Sequence, residues 1–551
     1  QATLHWVGDR DGFISTPFYD YYALALSGYD ALNGVYRYGE NKPVMTLTLD
    51  ADVERAALEA MDGRKGTIAV YNYKTGELLC AISTPTYDPD DVPDLSSEEA
   101  QEEYAGVCLN RFLQSDYPPG SIFKIITYAA AMDSIPDIED QTFYCDEEYD
   151  LGGGKVTCEH WHGEQTIHEA LTNSCNIAFG HIGLRMGGDM FYDYLKSFGI
   201  MEKTGVDLPG EASGLFYERK YLNNPAQYGT SYLITSSFGQ SFRITPVQLI
   251  RSVAAIVNGG YVLEPYIVSE VLDADGNTVE RNEKTVLRQV ISQQTSETMR
   301  DLMERVVTEG TASAAKTPGY RVGGKTGTSE KLDEYDEDGN QVKDKIVSFI
   351  GVAPIDDPQY AVLVALDTPA YSQNSEKYTV HGMYISGGLM AAPTVRDIFL
   401  DILPYLGVEP DYDSEDIRGV NFTVPDVIGI DEAEAGTLLA EKTITYRIVG
   451  TGSTVTDQLP APGSQVPGNS QIILYMGAEK QQTTVEVPDF IGCSVADVNY
   501  LAANAGLYVQ AKGTDRTDVY VLAAYQDIEP GTEVDRGTTI TVEFSSTGAS
   551  D

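Results

Sequence analysis

Ser121 and Lys124 lie three residues apart in "YPPGSIFKIITYAAAM", a spacing that sets both side chains on one face of a helix. A serine hydroxyl alone is a poor nucleophile, but an amine kept among apolar side chains can shed its proton and accept the hydroxyl's. Ile122 and Phe123 supply that apolar bulk. Pro118, Pro119 and Gly120 end the preceding segment and place Ser121 in the first turn of the helix. Free backbone N–H groups and the positive end of the helix dipole there favour any negative charge forming near the hydroxyl. Taken singly, Ser-x-x-Lys is equally a capping serine beside a solvated lysine, so its weight depends on what accompanies it.

Two companions follow in order. Ser174 and Asn176, in "TNSCN", come after the amphipathic stretch "TIHEALTNSC" and are predicted at a helix end or in the loop leading to the next helix. Lys325, Thr326, Gly327 and Thr328, in "YRVGGKTGTSE", offer a cation and two hydroxyls to a carboxylate. Gly323, Gly324 and Gly327 strip this strand of side chains, which a strand interior penalises unless something must approach its backbone. A ligand lying against the main chain meets that need. The same tripeptide at Lys74, Thr75 and Gly76 sits inside "GTIAVYNYKTGELLCAIS", between two β-rich runs, and reads as a hairpin turn.

The elements around these motifs set the fold class. A helix begins after the capping Asp50 with Val53, Ala57, Leu58 and Met61 on one face, and a second carries Met299, Leu302, Met303, Val306 and Val307 at core-facing spacing before Gly310. Strands return in "VSFIGVAP" and "YAVLVALDTP", and a last helix spans "PTVRDIFLDIL". Helix and hairpin, a long helical middle, then helix and strands predict an α+β domain with an antiparallel sheet. After Leu406 the acidic run "GVEPDYDSEDIRG" reads as a linker. Beyond it "TVPDVIGIDEAEAGTLLA" is echoed 63 residues later by "EVPDFIGCSVADVNYLA", which predicts two small modules, each a short strand, a turn, one helix and further strands.

Composition narrows the function classes. With 37 basic against 83 acidic residues the net charge is −46, which argues against any phosphate-backbone partner, so no nucleic acid is expected. The 551 residues suggest three or four domains, and 42% hydrophobic residues indicate a globular chain. No run of eighteen apolar residues occurs, and Gln1 is not a natural start, so a membrane anchor preceding this sequence is expected. Between the first two motifs, Cys145, Cys158, His160, His162 and His168 gather soft and imidazole ligands that suit structural zinc. A Cys145–Cys158 disulfide and two free thiols are the alternatives.

In this order and at these separations, Ser121-x-x-Lys124, Ser174-x-Asn176 and Lys325-Thr326-Gly327 resemble the penicillin-binding transpeptidases, and the C-terminal repeats resemble PASTA modules. The resemblance covers residues 46 to 545 and is to the class B, monofunctional proteins of spore-forming or related Gram-positive bacteria, with sporulation and elongation types the most similar. It implies a penicillin-binding transpeptidase fold, an antiparallel sheet packed with helices plus an all-helical subdomain, followed by two α+β PASTA modules. The boundaries implied are a pedestal remnant at 1–45, a transpeptidase domain at 46–406, a linker at 407–420 and PASTA modules at 421–478 and 484–545.

The activity implied is D,D-transpeptidation of peptidoglycan stem peptides through an acyl-Ser121, with Lys124 as base. Ser174 and Asn176 relay protons and hold the substrate amide, while Lys325, Thr326, Gly327 and Thr328 form the carboxylate site. The backbone N–H groups of Ser121 and Thr328 make the oxyanion hole. β-Lactams acylate the same serine, and a membrane glycosyltransferase is the partner expected at the extracytoplasmic face of the membrane. A β-lactam-binding sensor, a carboxypeptidase or a β-lactamase would use the same serine. No cofactor is required for the acyl transfer. Clostridial relatives resemble the cysteine-rich stretch and place Cys145, Cys158 and His162 as zinc ligands, leaving the fourth open among His160, His168, a nearby Asp and Cys175. Pro118 departs from the acidic residue often found there, and the insertion "EKLDEYDEDGNQVKDK" reads as a solvated loop, with a lid over the cleft as the sharper alternative.

Overall fold

A computed structural model describes the chain apart from residues 10–11, 15–16, 28, 31–33, 37–41, 95–96, 151–154, 159, 225–228, 332–343, 370–384, 411–420, 441, 443, 468–470, 479–483, 495–497, 499–500, 503–504, 514–520 and 547–551. Most of the acidic insertion and most of the expected linker therefore lie outside the described residues. The chain divides into two compact units, residues 1–316 with 321–398, and residues 317–320 with 399–551.

In the first unit, helix α1 (Ala51–Met61) leads into strands β1 (Gly66–Asn72) and β2 (Glu77–Thr84). A helical block follows with α2 (Lys124–Ser134), α3 (Ile167–Thr172), α4 (Asn176–Met186), α5 (Pro246–Val257) and α6 (Gln293–Thr308). The chain then returns to the sheet through β3 (Gly323–Glu330), β4 (Lys345–Ala353) and β5 (Tyr360–Asp367), and α7 (Gly387–Tyr405) begins beyond it. The sheet order is β3-β4-β5-β1-β2, antiparallel throughout. Two helices form where the sequence places them. Asp50 caps α1 by accepting from the N–H groups of Asp52 and Val53, and Met299, Leu302, Met303, Val306 and Val307 of α6 are all buried.

The first Lys-Thr-Gly makes the β1–β2 turn. Gly76 has φ +97°, a Cβ there would meet the Glu264 carbonyl at 2.9 Å, and Lys74 pairs with Asp357 at 2.8 Å on the exposed side. At the far edge of the sheet, β2 would expose unpaired backbone groups. Its Ala81 carbonyl instead accepts from Trp6 Nε1 at 2.6 Å and its N–H donates to Glu54 Oε1 at 3.0 Å. Leu4 and Trp6 are fully buried, so part of the stretch expected as a pedestal remnant packs against this edge.

The helical block centres on α2, whose residues from Lys124 to Ala131 are buried. It packs against α4, α5 and α6. Helix α5 has no exposed residue and opens with a capping box between Thr245 and Gln248.

In the second unit both repeats adopt one plan, a strand parallel to a central strand (Thr445–Gly450 on Gln471–Met476; Tyr508–Gly513 on Thr539–Ser546) with a third strand antiparallel on its other side. A helix spans Glu432–Ala440 in the first module; the corresponding stretch of the second falls largely outside the described residues. One buried glutamine per module explains why the "VPD" and Pro-Gly segments recur together. Gln458 accepts from the N–H of Val427 and donates to the carbonyls of Pro425 and Pro460; Gln526 accepts from Phe490 and donates to Pro488 and Ile528.

Candidate active site

Ser121 sits in a 3-10 turn, Gly120–Phe123, that runs directly into α2. The α-helix proper starts at Lys124, one turn later than expected, because Gly120 takes φ +58° and lies against the backbone of Thr328. Ser121 remains partly exposed while Lys124 is fully buried. Lys124 Nζ lies 2.9 Å from Ser121 Oγ, 2.5 Å from the Ser174 carbonyl oxygen, 2.8 Å from Asn176 Oδ1 and 3.1 Å from Ser174 Oγ. The carbonyl and amide oxygens can only accept, so they take two N–H bonds from the amine. An uncharged amine then has one lone pair left, and Ser121 Oγ is placed to donate to it.

Ser174 follows α3 in a left-handed conformation, φ +57°, and Asn176 opens α4 after the Cys175 cap. That turn points the Ser174 hydroxyl between two lysines, 3.1 Å from Lys124 Nζ and 2.9 Å from Lys325 Nζ. Lys325 is fully buried on β3, and burial, followed by the charge of Lys124, pushes its pKa well below the usual lysine range. Its remaining contacts are the carbonyl and hydroxyl oxygens of Thr326, both at 3.3 Å.

The glycines of β3 have a different cause from the one the sequence suggests. A Cβ at Gly323 would strike Ile355 and Met303, one at Gly324 the Phe349 ring and the Ile350 carbonyl, and one at Gly327 Ser348 Oγ, the Pro119 carbonyl and Ile122. The space is filled by the protein itself, with α6, β4 and the nucleophile turn closing on the strand, and no ligand is needed to explain it. Two contributors escape sequence reasoning. The Gly387 N–H, at the start of α7, donates to Thr328 Oγ1 at 3.2 Å, and Thr311, after α6, lies 3.2 Å from Thr326 hydroxyl to hydroxyl. Gly387 and Gly388 allow that approach, since a Cβ at either would meet backbone atoms at 2.3–2.6 Å. The Gly-Gly pair before an apolar helix is the signal that was available.

The cysteine-rich stretch forms a second cluster beside the first. Cys145, Cys158, His162 and Cys175 bring their ligand atoms within 4.8 Å of one another. Cys158 and Cys175 sulfurs are 3.7 Å apart, and His162 Nδ1 is 3.3 Å from Cys145 Sγ. Tetrahedral coordination with zinc–sulfur bonds of about 2.3 Å requires sulfur–sulfur edges of about 3.8 Å, so the donor set fits zinc in type and spacing. Cys145 and Cys158 are not joined to each other. His168 turns away to the Tyr128 hydroxyl, 3.2 Å, and His160 approaches Cys145 through its carbonyl. A hydrogen bond between the Cys158 and Cys175 sulfurs lowers the first thiol's pKa and raises the second's, a pattern a divalent cation would replace by binding both thiolates. The Asn176 amide donates to the carbonyl of Thr157, the residue before Cys158, at 2.9 Å.

Residues 66–383 match the penicillin binding protein transpeptidase domain, and residues 422–478 and 485–546 match the PASTA domain. The chain is similar to the stage V sporulation protein D of Bacillus subtilis, 36% identical over 465 residues, covering 80% of this chain and 66% of that protein. It is also similar to the penicillin-binding protein PbpB of Mycolicibacterium smegmatis, 28% identical, covering 64% of this chain and 53% of that protein. The chain thus spans less than two thirds of the length of these relatives. Among solved structures it resembles penicillin binding protein 3 of Mycobacterium tuberculosis, with TM-score 0.61, 27% identity, and 74% of this chain and 90% of that one covered. The D,D-transpeptidase domain of a peptidoglycan glycosyltransferase from Eggerthella lenta gives TM-score 0.57 at 27% identity, over 71% and 87% of the two chains. The chain belongs to the penicillin-binding protein transpeptidase family, as a class B member carrying two PASTA domains.

Proposed function

We propose that this chain is a peptidoglycan D,D-transpeptidase working through an acyl-Ser121. The observation that carries this reading is the contact of Lys124 Nζ with Ser121 Oγ at 2.9 Å inside a fully buried amine site. Ser121 Oγ attacks the carbonyl of the penultimate residue of a stem peptide as its proton passes to Lys124. Charge on the tetrahedral oxygen is met by the backbone N–H groups of Ser121 and Thr328. The C–N bond breaks, and the departing D-Ala amine takes a proton through Ser174, whose hydroxyl bridges both lysines. An amine of a second stem peptide then attacks the ester and restores the Ser121 hydroxyl. Lys325, Thr326 and Thr328 hold the terminal carboxylate, Gly327 leaves space for the nucleophile turn, and Asn176 fixes Lys124 and the substrate amide.

A carboxylate arriving at Lys325 supplies the counter-charge that burial withholds, so substrate binding itself favours the protonated lysine. A solved relative from Mycobacterium tuberculosis is complexed with aztreonam, and β-lactams are the inhibitors proposed here. The substrate places the reaction outside the cytoplasmic membrane, with a glycosyltransferase supplying the glycan strands. Domain limits at 46–406, 421–478 and 484–545, with 1–45 and 407–420 flanking, belong to the same proposal.

Zinc is proposed at Cys145, Cys158, His162 and Cys175, where it would supply a rigid structural cross-link and no chemistry of the acyl transfer. Cys175 lies between Ser174 and Asn176, so the cross-link steadies both side chains.

The test is a donor peptide ending in D-Ala-D-Ala with a free amine acceptor. Release of D-Ala coupled to amide formation supports transpeptidation, whereas release without amide formation marks a carboxypeptidase. Fluorescent penicillin should leave Ser121 slowly; rapid turnover would mark a β-lactamase.

A further inference from the structure

Arg64, three residues past the end of α1, is 4% exposed, a burial that a guanidinium tolerates only with its donors engaged. Its Nε donates to the Met61 carbonyl at 2.9 Å and its Nη2 to the Ala60 carbonyl at 2.6 Å. The cation thus closes the last carbonyls of α1, at the negative end of the helix dipole. Its backbone is tied to the sheet, since the Arg64 carbonyl accepts from Thr84 Oγ1, at the end of β2, at 2.7 Å. The same guanidinium crosses to α7, where Nη2 donates to Thr394 Oγ1 at 3.0 Å and Nη1 to the Met390 carbonyl at 3.4 Å. Thr394 Oγ1 itself donates to that Met390 carbonyl at 2.9 Å, and both residues are buried.

Helix α7 carries this hold to β3. The Gly387 N–H donates to Thr328 Oγ1 at 3.2 Å, which occupies an acceptor position of that hydroxyl and leaves its hydrogen to be donated to a ligand. Gly388 comes as close to Thr311, because a Cβ there would lie 2.6 Å from the Thr311 carbonyl, and Thr311 meets Thr326 hydroxyl to hydroxyl at 3.2 Å. The first turn of α7 therefore borders both threonine hydroxyls assigned to the carboxylate. Its clearance is small: a Cβ at Gly387 would lie 2.3 Å from the Ser348 carbonyl and 2.6 Å from that of Gly327. Met390 stands only about 4.5 Å along the helix axis from Gly387. A slide of α7 at Met390 and Thr394 is thus felt at once by Thr328.

We propose that Arg64 is a positioning residue for carboxylate recognition. By clamping Thr394 and Met390 to the end of α1, it fixes the height of α7 and, through Gly387, the direction in which the Thr328 hydroxyl donates. Its planar fork spans two helices at once, which a point charge on a flexible stem does not. Arg64 acts through α7 and takes no part in bond making at Ser121. The proposal rests on the transpeptidase reading above.

A penicillin and its methyl ester, alike in every bond-making step and different in the carboxylate, test it on the full chain, Arg64→Met, Thr394→Val and Thr394→Ser. The native protein should be acylated faster by the acid. Arg64→Met and Thr394→Val should each slow acylation by the acid about tenfold, the scale of one hydrogen bond to a charged group, with the ester rate unchanged. Thr394→Ser keeps the hydroxyl and should keep the native ratio of the two rates. Where Arg64→Met fails to fold, the two Thr394 variants decide, because only one of them retains the group that Arg64 holds. A fall of acid and ester together would mean that Arg64 serves stability alone, and an unchanged ratio in Thr394→Val would mean that the clamp does not reach α7; either overturns the proposal. So does an equal fall in Thr394→Ser, which would trace the effect to packing, or equal acylation of the native chain by acid and ester. A native chain that neither compound acylates would overturn the transpeptidase reading itself, and this proposal with it.

Discussion

The side-chain amide of Asn176 donates to the carbonyl of Thr157 at 2.9 Å, joining the two clusters of this protein through one hydrogen bond. Thr157 precedes Cys158, and Asn176 follows Cys175. Both ends of the bond are therefore chain neighbours of sulfurs in the proposed zinc site. The same amide holds Lys124 through Oδ1 at 2.8 Å. Loosening the cluster should move the base. Chelation, or Cys158→Ser, is expected to lower the melting temperature and to slow Ser121 acylation by about tenfold, the scale typical of lost support around a metal site. Calorimetry and stopped-flow acylation with and without chelator check this; equal melting in both conditions would contradict it.

Burial is the larger cause of the lowered Lys325 pKa, and it acts whether or not Lys124 carries a proton. A lysine is charged below its pKa, so its hold on a carboxylate is lost as pH rises through the lowered value, short of the ordinary lysine value of about 10.4. Acylation by a β-lactam acid should show an alkaline limb that the methyl ester of the same compound lacks. Both compounds need the unprotonated base and share the acid limb. Paired pH–rate profiles decide it, and identical alkaline limbs would contradict the assignment.

Ser174 adopts φ +57°, a conformation glycine accepts without strain. Ser174→Gly is expected to be more stable than Ser174→Ala by up to about 1 kcal/mol. Both lose the hydroxyl between the lysines and should slow acylation alike, by about a hundredfold. Denaturant melts and acylation rates separate the two effects. Unequal rates would mean that the backbone conformation, and not the hydroxyl, matters.

Glu54 is fully buried, with Oε1 bonded to the Ala81 N–H and no hydrogen-bond partner at Oε2, and desolvation raises its pKa to about 8. The folded state therefore holds this proton more tightly than the unfolded chain, whose glutamate titrates near 4.3. Its stabilising contribution is complete below about pH 4.3 and fades as pH rises through about 8, by up to about 1.4 kcal/mol per pH unit. Glu54→Gln removes that slope. Melts of both proteins from pH 5 to 8 should diverge accordingly, and parallel curves would contradict a neutral buried carboxyl.

The sequence reveals the site where spacing along one element fixes geometry. Ser121 and Lys124 share one turn, and Lys325 to Thr328 share one strand, so residue order alone brings them into view. The α+β class follows for the same reason, from α6 and the strands β4 and β5. What stays hidden depends on distant parts of the chain. Gly387 and Thr311 reach β3 only through tertiary packing. Cys175 could not be separated from His160 and His168 as a ligand until the turn after α3 aimed its sulfur at Cys158. Glu54 occupies a helix position that charge alone would assign to solvent, and only the bare edge of β2 explains its burial.

Intact mass after benzylpenicillin, on the native chain and on Ser121→Ala, tests the central claim most directly. A single penicilloyl adduct on the native protein, mapped to the peptide containing Ser121 and absent from the folded variant, is the expected result. An adduct that persists in Ser121→Ala, or a folded native chain that takes none, would contradict it.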